Sequence, residues 1–156
     1  MSKAIVLLSG GMDSSTALSI AIKEGFECYA LTLDYGQRHK NEINSAKNIV
    51  KDFKITEHKL ASIDLTVFGG SALTDDNLKV LEKESSGIPI TYVPARNTIF
   101  FSLALAWAEV VEADAIFSGV NAIDYSGYPD CRPEYISAIQ ELFNIATKIT
   151  SEGKSI

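Results

Sequence analysis

Ala4-Ile5-Val6-Leu7-Leu8-Ser9-Gly10-Gly11-Met12-Asp13-Ser14-Ser15-Thr16-Ala17-Leu18 is the stretch on which the fold turns. Ala4–Leu8 is a continuous apolar run, the pattern of a strand buried on both faces. Ser9-Gly10-Gly11 stops it. From Ser14 to Glu24 the apolar residues Ala17, Leu18, Ala21 and Ile22 fall at helical spacing, and Gly25 stands where such a helix ends. A buried strand therefore runs through a glycine turn into a helix start. The glycines let a ligand approach the main chain closely. Free N–H groups and the helix dipole favour an anion at that point. Ser9, Ser14, Ser15 and Thr16 add hydroxyl donors, and Asp13 has two readings, a cap that holds the turn or a carboxylate that reaches magnesium on a bound phosphate. We expect ATP phosphates to bind over Leu8–Leu18.

Outward from this turn the pattern alternates strand and helix. Cys28–Leu33 reads as a second strand, Lys40–Phe53 as an amphipathic helix, and Glu57–Leu60 as a short third strand. Ala61–Thr91 breaks the rhythm with Gly69-Gly70, Thr74-Asp75-Asp76 and Ser85-Ser86-Gly87, and holds one helical piece at Asn77–Glu84. A loop this long inside a compact domain is more often functional than merely connective. Asn97–Glu112 is an apolar helix, Ala115–Val120 a fourth strand, Asn121–Pro133 a polar loop, and Glu134–Lys148 a last helix. Strands alternating with helices imply an α/β fold, a doubly wound parallel sheet with helices on both faces. Ligands in such folds sit beyond the carboxyl ends of the strands. Each polar cluster here follows a strand (Ser9–Ser15, Asp34–His39, Asn121–Arg132), so all should converge on one edge.

Composition narrows the partners. The 156 residues fit one domain, and 46% apolar content supplies a core. Ile99–Ala108, the longest mostly apolar stretch, falls short of the roughly 20 residues a membrane span needs, and the first residues lack a signal-peptide pattern. A cytoplasmic protein is expected. Its two cysteines, Cys28 and Cys131, lie far apart and form no metal spacing. A net charge of −6 with scattered lysines weighs against gripping nucleic acid.

The turn lacks the Gly-Lys-Ser/Thr of a Walker loop and the three glycines of a dinucleotide fingerprint. Ser9-Gly10-Gly11-Met12-Asp13-Ser14 instead resembles the signature of the pyrophosphate-loop (N-type) ATPases. That likeness implies an adenine nucleotide alpha-hydrolase-like, Rossmann-like fold and cleavage between the α and β phosphates. Three further strings are similar to elements of the 7-cyano-7-deazaguanine synthases of queuosine biosynthesis: Asp34-Tyr35-Gly36-Gln37-Arg38-His39, Val93-Pro94-Ala95-Arg96-Asn97, and Tyr125-Ser126-Gly127-Tyr128-Pro129-Asp130-Cys131-Arg132. The likeness runs from residue 4 to about residue 148. It implies an ATP- and Mg-dependent ligase that joins ammonia to 7-carboxy-7-deazaguanine, giving the 7-cyano compound (preQ0), AMP and pyrophosphate. It also implies a further C-terminal part, with another strand and four zinc-binding cysteines, that residues 1–156 do not contain. Residues 1–156 are then a single ATP-pyrophosphatase domain with residues 61–91 as an inserted loop, and Ala115–Val120 becomes an apolar edge open to homodimer formation.

Substrate contacts are expected from Arg38, Arg96, Asn97, Tyr125, Tyr128, Asp130 and Arg132. Arginine binds carboxylate and phosphate bidentately, though each of the three has an alternative as a solvated surface residue. Asn97 is either a helix cap or a ligand. Tyr125 and Tyr128 either stack on a flat heterocycle or pack beside Gly127. Asp130 either binds the amino edge of a guanine-like ring or pairs with Arg132. A tRNA-modifying adenylating enzyme and a non-catalytic nucleotide-binding module are the competing functions.

Overall fold

The computed structural model describes residues 1–37, 41–74, 88–121 and 127–156. Four parallel strands form one sheet in the order β3-β2-β1-β4: β1 (Lys3–Leu7), β2 (Glu27–Asp34), β3 (Glu57–Ser62) and β4 (Ala115–Phe117). Ala4, Ile5 and Val6 in the central strand are fully buried, as the unbroken apolar run demands. The sheet has two covered faces. On one, Val6, Leu8, Cys28 and Ala30 pack with Leu18 and Ala21 of α1 (Met12–Lys23) and Ala46 of α2 (Asn41–Asp52). On the other, Ile5, Leu31 and Leu33 meet Phe101, Ala104 and Ala108 of α3 (Arg96–Val111) and Ile139 and Phe143 of α4 (Pro133–Phe143). Alternate residues of each strand thus feed opposite cores, and the doubly wound reading holds.

The chain runs outward through β1, β2 and β3, then crosses back to place β4 on the other side of β1. The order therefore reverses between β1 and β4, and the crevice at their carboxyl ends is where such sheets receive ligands.

Several boundaries differ from expectation for physical reasons. β3 is two residues longer, because Ala61 and Ser62 stay in register with Leu33 and Asp34. β4 stops at Phe117 rather than Val120, since residues 118–120 bend away to lie on the start of α1. The last helix breaks in two. Thr147 opens α5 (Lys148–Ser151) with a reciprocal capping box to Thr150, which satisfies these two buried hydroxyls, and Ile149 and Ile156 are buried in the core. The side-chain amide of Gln140 donates to the Ile156 carbonyl and holds this return. The helical piece expected at Asn77–Glu84 lies outside the described residues. β4 is an edge strand, as expected, with a cavity of about 280 Å³ beside it between Ile116, Phe117, Ile139, Phe143 and Ile156. Among the described residues no helix is long and apolar enough to cross a membrane.

Candidate functional site

The glycine turn owes its shape to contacts behind it. Gly10 has φ +89°, and a Cβ there would lie 2.3 Å from the Glu42 carbonyl oxygen and 2.7 Å from the Ala46 nitrogen of α2. Only glycine fits between the turn and that helix. Gly11 is different. Its φ of −81° is ordinary, and it forms the N-cap of α1 with no capping side chain. The first-turn N–H groups of α1 have no intrahelical acceptor, so they remain available to an anion.

The turn's carbonyls are drawn the other way. Thr32 Oγ1 donates to the Leu8 carbonyl at 2.8 Å, and Ser45 Oγ donates to the Gly10 carbonyl at 2.8 Å. Ser14 and Ser15 both donate to the Gly11 carbonyl, at 3.0 and 2.7 Å, and Thr16 donates to Met12 at 2.9 Å. This corrects one expectation. The hydroxyls of Ser14, Ser15 and Thr16 brace the turn from within, and the donors facing outward are backbone N–H groups. Ala17 and Leu18 are core residues beneath the turn, 8% and 0% exposed, and not cavity wall.

In front of the turn lies a cavity of about 350 Å³, within the usual size of a small-molecule site. It collects residues following three strands: Ser9, Gly11 and Asp13 after β1, Tyr35 and Gln37 after β2, and Gly119 and Asn121 after β4. The expected convergence on one edge is observed. Arg96 and Asn97, at the start of α3, close the far wall together with Tyr128. The Arg96 guanidinium sits 5.6 Å from the Tyr35 ring and 5.9 Å from that of Phe100, and donates to the Tyr35 hydroxyl at 3.3 Å. Among the described residues it meets no carboxylate. Burial pushes the Tyr35 phenol above its ordinary range, and the neighbouring Arg96 cation opposes that rise. Tyr128 lies 6.0 Å from Tyr92, their planes 32° apart, and shares a 2.7 Å hydroxyl contact with Thr91.

Two expected residues stand elsewhere. Asp130 is 7% exposed, and its carboxylate accepts the Asn97 backbone N–H at 3.1 Å. The Asn97 side chain donates to the Asp130 carbonyl at 3.0 Å and to Cys131 Sγ at 3.4 Å. Asp130 therefore caps α3 across sequence instead of lining the cavity or pairing with Arg132, and Asn97 ties the loop to its helix. Such a cap is needed because Ala95, at the N-cap in a left-handed conformation, offers no side-chain acceptor. Arg132 is exposed at the start of α4, away from the cavity wall. Arg38 and Tyr125 lie outside the described residues. Among the described residues no group of three or more His, Cys, Asp or Glu side chains gathers as a metal site. Cys28 and Cys131 are buried in separate places with no disulfide, and burial pushes the Cys28 thiol up. They provide no donor set for zinc.

Tyr35, Gln37 and Gly119 also line the cavity; the sequence marked the segment of the first two, Asp34–His39, but singled out none of the three as a contact. Gln37 is buried, its side chain accepting from the Tyr35 N–H at 2.9 Å and donating to the Leu33 carbonyl at 3.4 Å, which turns the chain end of β2 into the cavity. Their position just after a strand was the available signal.

Comparison with known proteins places this geometry. The family model described as queuosine biosynthesis protein QueC matches residues 3–154. A 7-cyano-7-deazaguanine synthase of Saccharophagus degradans is 58% identical over 154 residues, covering 99% of this chain and 68% of its own length. That of Pseudomonas putida is 55% identical over 152 residues, covering 97% and 68%. Among solved structures, a predicted subunit of tRNA methyltransferase from Methanocaldococcus jannaschii aligns with a TM-score of 0.59 at 20% identity, over 93% of this chain and 65% of that one. An ammonia-dependent NAD synthetase from Campylobacter jejuni aligns with 0.51 at 17% identity, over 99% and 69%. The structural likenesses show the fold, adenine nucleotide alpha-hydrolase-like and Rossmann-like. With a family model spanning residues 3–154 and relatives above half identity, the chain belongs to the QueC family of queuosine biosynthesis proteins.

Proposed function

We propose that the protein is an ATP-dependent ligase that forms 7-cyano-7-deazaguanine from 7-carboxy-7-deazaguanine and ammonia. The observation that carries this reading is the cavity at the β1/β4 switch point, with the glycine turn on one wall and, on the other, an arginine that meets no carboxylate among the described residues.

A carboxylate resists attack by ammonia because oxide would have to leave. Transfer of AMP from ATP to a carboxylate oxygen, with pyrophosphate departing, turns that oxygen into a phosphate leaving group. Ammonia then attacks the carbonyl carbon, AMP leaves and an amide forms. Adenylation of the amide oxygen and loss of a second AMP with two protons give the nitrile. The chain's own part is placement and charge compensation. Backbone N–H groups of the turn and of the start of α1 hold phosphate oxygens. Arg96, fixed by the Tyr35 hydroxyl and two rings, offers a bidentate fork to the phosphate or carboxylate. Tyr128, on the cavity wall, offers a ring to the heterocycle. Magnesium on the nucleotide would neutralise the departing pyrophosphate, and Asp13, which lines the cavity along with Glu42, would hold it.

Phosphorus NMR of a mixture containing protein, ATP, magnesium, the deazaguanine acid and ammonia tests the proposal. AMP and pyrophosphate should appear only when the acid is present. ADP accumulating in step with loss of the acid would overturn it.

A further inference from the structure

Ser45 stands on α2, outside the cavity wall, and its hydroxyl donates to the Gly10 carbonyl at 2.8 Å. We propose that Ser45 is a positioning residue for nucleotide binding, holding the Gly10–Gly11 peptide so that its N–H faces the phosphates. The inference rests on reading this turn as the phosphate site.

The argument begins with the peptide plane. The Gly10–Gly11 peptide is trans, and in a trans peptide the C=O and N–H point in opposite directions. A carbonyl drawn back to α2 sends the following N–H forward. The Gly11 N–H indeed meets Ser9 Oγ at 3.3 Å, on the cavity side. Between two glycines the peptide has no Cβ on either side to hinder a flip. A flipped peptide would aim its carbonyl oxygen at the phosphates and withdraw a donor. Packing fixes where the turn lies, since Gly10 rests on the backbone of Glu42 and Ala46. It does not fix which way this one peptide faces. The Ser45 hydroxyl does so from the α2 side, at 2.8 Å against the longer 3.3 Å contact of the Gly11 N–H with Ser9 Oγ, and the turn repeats the device at its entrance, where Thr32 draws back the Leu8 carbonyl.

Ser45→Ala isolates the effect. Alanine is the better helix former, so α2 is not weakened, and the Gly10 carbonyl is partly exposed and can turn to water. Calorimetric titration with MgATP should show affinity reduced about fivefold to tenfold, the size of one lost hydrogen bond. The KM for ATP should rise in step, while the KM for the deazaguanine acid and the melting temperature of the unliganded protein stay at parent values. Unchanged ATP affinity would overturn the inference, with the function of the turn still standing. A fall in melting temperature with both substrates weakened alike would also overturn it, by making Ser45 a fold contact. Failure of the parent protein to bind MgATP would remove the phosphate-site reading and this inference together.

Discussion

Gly119→Ala is the sharpest test of how the site is assembled. Gly119 follows β4 and lies on the first turn of α1, where a Cβ would stand 2.6 Å from the Asp13 carbonyl carbon, 2.6 Å from the Ser14 nitrogen and 2.9 Å from the Asp13 oxygen. All three are backbone atoms, so no rotamer change relieves the overlap. Ordinary contact begins near 3.4 Å, and the helix start must retreat by about 0.8 Å. An N–H···O bond of about 2.9 Å stretched that far is no longer a hydrogen bond. Each charge-assisted bond to phosphate contributes about 1.5–3 kcal/mol, so losing one weakens ATP by about tenfold to a hundredfold. The overpacking itself should cost about 1–3 kcal/mol of stability. Gly25→Ala supplies the control: its φ of +87° makes a side chain strained, yet nothing lies within 4 Å of the added Cβ. Both variants should melt earlier, but only Gly119→Ala should lose ATP in a calorimetric titration. Parent-like ATP affinity in Gly119→Ala, or equal losses in the two variants, would refute the reasoning.

Gly11→Val should abolish ATP binding with an unchanged melting curve, because the backbone there is ordinary and the nearest atom to an added Cβ is Ser9 Oγ at 3.5 Å; retained binding in a calorimetric titration would count against the phosphate turn. Asp130→Asn should lower stability by about 0.5–2 kcal/mol in urea unfolding, as expected for a weakened helix cap, and leave ATP affinity alone. His58 has its pKa lowered, first by burial and then by Lys47. The unfolded chain therefore binds this proton more readily, so the parent should lose stability as pH falls below about 6.5 toward the folded value, and that slope should be reduced in His58→Gln; identical pH profiles in chemical unfolding would remove the assignment.

The sheet was legible because its signals are local. Ala4–Leu8 could be read as a two-face strand from its lack of alternation, and the turn after it from its glycines. The ends of elements were less legible because distant residues set them. β4 was expected to reach Val120, but Gly119 leaves the ladder to meet α1 more than a hundred residues earlier in sequence. No periodicity carries that information. The same holds for Asp130. Its neighbours in sequence suggest a partner in Arg132, whereas its hydrogen bond goes to the backbone of Asn97, which folding alone brings close. Arg96 and Tyr128, expected as substrate contacts, line the cavity, while the place of Gln37, in an equally visible string, follows only from the partners of its buried side chain.

The proposed binding of a polyphosphate by an acidic chain poses an electrostatic question, and the turn answers it. With 20 Asp and Glu against 14 Lys and Arg, the long-range field disfavours an incoming anion. Beyond about 8–10 Å that field is screened at physiological salt, so it acts on approach more than on binding. Inside the cavity the balance is set by dipoles. Carbonyls at Leu8, Gly10 and Gly11 are each taken up by a hydroxyl behind or within the turn, and the first-turn N–H groups of α1 have no intrahelical acceptor. Arg96 adds the full positive charge, held rigid by Tyr35 and Phe100. Such an arrangement suits a small anion, as the proposed phosphate site requires. Lysine stripes would bind phosphate with less discrimination. The acidic composition and the donor-bearing turn are thus compatible with the proposed binding of a compact nucleotide.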